Sequence, residues 1–81
     1  MLKLTTKAAS DYMKEWMFYN AIRKMNSDDN FYYFTAKHAG TSKELKIERS
    51  AIDEFFNVWE RNPGELGWEW TDAIGVHREI A

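Results

Sequence analysis

Cysteine is absent from the 81-residue chain, which removes disulfide scaffolds, thiolate zinc sites and thiol nucleophiles together and fits a reducing compartment. Proline occurs once and glycine four times, so no flexible linker divides the sequence, and residues 1–81 are expected to form a single ordered domain. Long apolar runs are missing too. Lys3, Lys7, Asp11, Lys14 and Glu15 interrupt the first thirty residues, leaving neither a signal-peptide core nor a membrane span. The expectation is a soluble cytoplasmic protein that does not engage a membrane.

Catalytic motifs are equally scarce. The two histidines, His38 and His77, have no histidine or carboxylate at helical metal-binding spacing. Ser10, Ser27, Ser42 and Ser50 lie outside any nucleophile motif, and Ser50 is accounted for as a helix cap. Asp28 and Asp29 are followed by Phe31 and Tyr32 instead of the alternating ligands, central glycine and distal glutamate of a calcium loop. Carboxylate pairs such as Asp53 with Glu54, or Glu65 with Glu69, would need a cleft that a domain of this size seldom provides. No catalytic residue, cofactor or metal is therefore expected.

What the chain has in abundance is rings: four Trp, four Tyr and five Phe. Each carries roughly 150–250 Å² of surface, more in sum than a small core can readily shelter, so some rings are expected at a contact surface. Net charge is −2 but unevenly spread. Residues 1–30 hold five basic and four acidic side chains, 31–50 four and two, and 51–81 two and seven, so the front is mildly basic and the back acidic.

Periodicity predicts a helix capped by Thr5 or Thr6 and running to about Met25, with Ala9, Tyr12, Met13, Trp16 and Met17 on one face. From Phe18 the apolar set shifts to Phe18, Tyr19, Ile22 and Met25, so a straight helix would present two apolar faces. Residues 26–30 are turn chemistry. Phe31–His38 and Lys43–Arg49 read as two strands joined through Gly40, with Leu45 and Ile47 alternating against Glu44, Lys46 and Glu48. Ser50 opens a second predicted helix, with Asp53 and Glu54 in its first turn, a core stripe of Ile52, Phe55, Phe56 and Trp59, and a stop at Asn62, Pro63 and Gly64. Residues 66–70 read as strand, whereas 71–80 fit either a strand returning from a hairpin turn near Thr71 and Asp72 or a short helix capped by one of those two residues.

Together these predict an α+β fold in the order helix, β-hairpin, helix and short Trp-bearing element, with the helices packed on one face of a small antiparallel sheet. Function is expected to be non-enzymatic and stoichiometric: occlusion of a partner protein's surface, as in the small cysteine-free inhibitors of phages and mobile elements, which are similar in size and composition. The expected contact rings are Tyr12, Trp16, Tyr33, Trp68 and Trp70, with Glu65, Glu69 and Asp72 as an acidic rim. A DNA- or RNA-binding regulator using the 31–49 hairpin is the competing expectation, weakened because Glu44 and Glu48 bracket Lys46. A homodimer completed by the surplus rings is the third.

Overall fold

The computed structural model describes residues 2–51 and 55–75. It overturns the predicted helix–hairpin–helix arrangement: among the described residues there is one helix, and the dominant element is a five-stranded antiparallel sheet. In chain order the elements are β1 (Leu2–Lys3), α1 (Thr6–Glu15), β2 (Asn20–Ser27), β3 (Phe31–His38), β4 (Thr41–Glu48), β5 (Ser50–Ala51), β6 (Phe55–Arg61) and β7 (Glu69–Gly75). The large sheet is a meander in the order β2-β3-β4-β6-β7, and β1 pairs separately with β5, Lys3 opposite Ser50.

The predicted cap is present, since the Ala8 N–H donates to Thr5 Oγ1 at 3.1 Å. The helix nevertheless stops ten residues earlier than its periodicity suggests. Trp16 closes it by donating its N–H to the Tyr12 carbonyl, and Phe18, at φ 62°, turns the chain into β2. A ring-bearing residue pays local strain in that region of backbone space, and it does so where the apolar stripe rotates in the sequence. The rotated set thus leads into and along a strand instead of forming a second helical face: Tyr19, just before β2, is buried and Ile22 on β2 packs against the core, while the rest of β2 is exposed.

The second predicted helix is a strand over residues 55–61, and Ser50 pairs with Lys3 instead of capping. Ile52, Asp53 and Glu54, the rest of that predicted first turn, lie outside the described residues. Phe55, Phe56, Val58 and Trp59 are aromatic and β-branched, which favours a pleated surface, and pairing on both sides with β4 and β7 settles the choice. β7 begins only at Glu69, so Leu66 to Trp68 are loop instead of strand, and it runs unbroken through Thr71 and Asp72 to Gly75, so neither the turn nor the helix cap expected at those two residues is formed; residues 76–81 lie outside the described residues.

One side of the sheet carries the core. Phe34 and Ala36 of β3, Leu45 and Ile47 of β4, Phe56 and Val58 of β6 and Ile74 of β7 pack with Ala8, Ala9, Tyr12 and Met13 of α1 in a single cluster. The strands alternate as a half-covered sheet should, and a one-residue slip would turn this whole set outward. Strand pairs on the outside are less regular: β2 shows register shifts along β3, and β7 carries one opposite Val58 and Trp59.

The β3–β4 hairpin closes through Ala39 and Gly40, both at positive φ (52° and 80°), the pattern of a two-residue turn whose twist matches the strands. Glycine tolerates this and alanine does not. Ala39→Asn, which supplies the residue that such turns favour, is expected to raise stability by about 0.5–1 kcal/mol, read as a higher urea midpoint at unchanged slope.

Candidate surface for partner binding

The other side of the sheet has no helix over it among the described residues, and there the rings collect. Register places Tyr33, Lys46, Trp59 and Trp70 side by side across β3, β4, β6 and β7. The next row is Thr35, Glu44 and Arg61, with Trp68 entering from the β6–β7 loop. Phe31 completes the cluster, meeting Trp59 edge-on at 5.5 Å and Tyr33 at 6.2 Å, while Tyr33 approaches Trp68 at 6.1 Å.

Two cations are threaded between these rings. Lys46 Nζ lies 4.4 Å from the centre of Phe31, 5.0 Å from Trp68 and 5.2 Å from Trp59. The Arg61 guanidinium stacks on Trp68 at 4.1 Å, with its Nε donating to Glu44 at 2.7 Å. Each cation–ring contact contributes roughly 0.5–1 kcal/mol and holds a large side chain in one rotamer. Asn57 fixes a third ring: its carbonyl accepts from Trp70 Nε1 at 3.0 Å, and its N–H groups, backbone and amide, donate to Glu48 at 2.7 and 2.9 Å.

One end of the face is pinned by Asp28. It accepts from the Tyr33 hydroxyl at 2.6 Å and from the backbone N–H groups of Asn30 and Phe31, closing the β2–β3 turn. These donors, that of Tyr33 foremost, hold its carboxyl below the usual carboxylate range, and the same bond pushes the Tyr33 phenol up. Between this turn and Trp68 runs an open groove of about 430 Å³ whose lining includes Met25, Asp28, Tyr33, Glu44 and Arg61. Beside it a second groove, of about 360 Å³, reaches Arg23 and Lys37.

Of the expected contact residues, Tyr33, Trp68 and Trp70 are brought together on this face. Tyr12 is not with them; it is in the core beneath α1, 5% exposed. Trp16 stands at the helix end, exposed beside the still more exposed Phe18, at the end of the sheet where β2 begins. The acidic rim divides as well. Glu65, Glu69, Leu66 and Trp68 line a shallow hollow around the β6–β7 loop, with Glu65 accepting from the Asn62 N–H. Glu69 pairs with Glu60 and Asp72 with Val58, positions of β6 on the core side of the sheet, so neither borders the ring cluster directly.

Sequence reading missed Phe31, Lys46, Trp59, Arg61 and Asn57 as members of this surface. The signal was present in the alternation of Phe55, Asn57, Trp59 and Arg61 against Phe56, Val58 and Glu60, which a helical stripe through Phe55, Phe56 and Trp59 concealed. Among the described residues no three His, Asp or Glu side chains converge in a way that could hold a metal ion, and no helix is long and apolar enough to cross a membrane. Compared with protein-family models, with curated proteins and with solved structures, the chain has no significant match.

Proposed function

We propose that the chain is a non-enzymatic protein-binding module that covers a partner's surface stoichiometrically, with the ring-bearing side of its sheet as the contact. The observation that carries this is the preparation of the rings: Trp59, Trp68 and Trp70 are each held by a cation or an amide of the protein itself. Side chains already fixed lose little freedom on association, and Trp, Tyr and Arg in such a setting are the residue types that anchor interfaces.

Trp70, at 57% exposure, supports the contact more than the fold. Trp70→Ala is expected to leave the thermal midpoint within a few degrees of wild type and to weaken partner capture about tenfold or more. Pull-down from the cells in which the protein is made, with Trp16→Ala as a control for the separate patch at the helix end, checks both. A partner held equally well by Trp70→Ala removes the sheet face from the contact.

The cations on the face favour one second reading, a regulator that binds DNA or RNA through the β3–β4 hairpin. Lys37 and Lys46 of the hairpin, with Arg23 and Arg61 on the strands beside it, supply positive charge that a phosphate chain could meet. Affinity for an oligonucleotide that falls steeply with salt supports it, and no binding at low salt eliminates it.

A further inference from the structure

The charges on the ring-bearing face are distributed unequally between satisfied and unsatisfied groups. By register Arg23, Lys37, Lys46 and Arg61 belong to this side, with Glu44 and Glu48, and Asp28 stands at its end. All three carboxylates already have donors within the protein: Arg61 for Glu44, Asn57 for Glu48, and Tyr33 with two backbone N–H groups for Asp28. Of the four cations, only Arg61 has a carboxylate in ion-pair contact among the described residues. Arg23, Lys37 and Lys46 have none there. Asp28 feels the Lys46 charge without touching it.

Lys46 is the most telling of the three, because the ammonium of this half-buried residue lies within 4.4–5.2 Å of three ring centres. Rings stabilise a cation but leave its net charge intact, so the centre of the face keeps a fixed positive potential in a setting of reduced dielectric. Arg61 extends it, since the bond to Glu44 engages Nε alone and leaves the Nη edge of the fork, with its Cζ 4.1 Å from the Trp68 ring centre, without a hydrogen-bond partner among the described residues. A second copy of the chain would bring like charges together across such an interface.

We propose that this face docks an acidic protein surface, one of whose carboxylates is received by Lys46 and the Nη edge of Arg61 beside Trp68. This rests on the protein-binding reading above and names the chemistry of the partner. A protein surface fits better than a nucleic-acid strand for two geometric reasons. The rings are tilted against one another at 43–86° with the cations already over them, so no flat row of ring faces is offered to successive bases. Glu44, Glu48 and Asp28 lie in the path that a continuous phosphate chain would follow, whereas the discrete carboxylates of a protein need meet only the cations.

The test uses the intact chain and four probes at low salt: a hexaglutamate peptide, a hexaglutamate peptide with two interspersed phenylalanines, a hexalysine peptide and a ten-nucleotide thymidine strand. The indole N–H resonances of Trp59, Trp68 and Trp70 are followed by NMR. Both acidic peptides are expected to shift Trp59 and Trp68, the one with rings more tightly, and hexalysine to shift neither. Lys46→Gln, which keeps the stem against the rings, is expected to weaken acidic-peptide binding about tenfold, the loss of one buried charged contact. Because Arg61→Gln also breaks the pair with Glu44, Lys46→Gln is the decisive variant and its unchanged spectrum outside the cluster is the fold control. The proposal is overturned by tighter binding of the thymidine strand than of either peptide, by indole shifts with hexalysine, or by an unaltered affinity in Lys46→Gln. A native partner that is lost with Trp70→Ala yet retained by Lys46→Gln would sink the carboxylate contact alone and leave the protein-binding reading standing.

Discussion

Lysine at position 56 is expected to unfold the protein, and lysine at position 55 to leave it folded. The two phenylalanines are adjacent, and on a helix both belonged to one core stripe. On β6 they point to opposite sides: Phe56 is fully buried in the cluster beneath α1, and Phe55 is 45% exposed. A folded chain of this length has roughly 4–12 kcal/mol of stability in total. Removing a buried phenylalanine costs about 3–5 kcal/mol, and placing an unpaired ammonium there adds a desolvation penalty that such a core cannot absorb. At position 55 the loss is about 1 kcal/mol or less, as for surface substitutions generally. Far-UV circular dichroism and urea titration of the two variants read this directly. Equal damage from both would refute the strand.

Raising the pH from 10 to 12 is expected to destabilise the fold by about 1–2 kcal/mol through one partly screened phenol, that of Tyr19. Tyr19 is buried between the start of β2 and the end of β6, its ring 5.3 Å from that of His38 and its hydroxyl donating to Glu60 at 3.2 Å. Burial foremost, and then the negative charge and hydrogen bond of Glu60, push its pKa up to about 12. The neutral phenol is the form that the fold prefers, so the stabilisation is whole below the ordinary tyrosine value near 10 and disappears as pH climbs through the folded value. Thermal melts from pH 8 to 12 should therefore fall steeply over the last two units. In Tyr19→Phe that slope flattens, at the expense of some stability near neutrality because Glu60 loses its donor. Tyr33, whose phenol is raised by Asp28, contributes in the same direction, and Tyr33→Phe separates the two. An alkaline slope identical in wild type and Tyr19→Phe would remove the assignment.

The elements that the sequence foretold are those whose signals were local. Thr5 caps α1 through a bond three residues away, and the hairpin of β3 and β4 follows from alternation around a turn with glycine in it. The elements that it concealed depend on distant partners. Phe18 to Met25 has helical spacing, and only pairing of Asn20 onward with β3, through residues such as Arg23 opposite Thr35, makes a strand of it. Phe55 to Trp59 is the same case, since five residues rich in rings satisfy both periods until β4 and β7 arrive on either side. The surface suffered from the same ambiguity. Tyr33, Trp68 and Trp70 were identified by residue type alone, whereas Lys46, Trp59 and Arg61 could be added only once register had set them beside one another.

The interrupted pairing of β2 and β7 bears on how such a sheet behaves in a crowd. Lateral growth into fibrils requires an outermost strand that offers an unbroken ladder of free amide and carbonyl groups to its next neighbour. Here each outer strand slips in register against its inner neighbour, between Asn20 and Arg23 and between Lys24 and Ser27 on β2, and between Trp70 and Asp72 on β7, where such slips bend and twist a strand. An incoming strand therefore meets a bent edge that it cannot pair with along its whole length, and growth of the sheet from either flank is disfavoured.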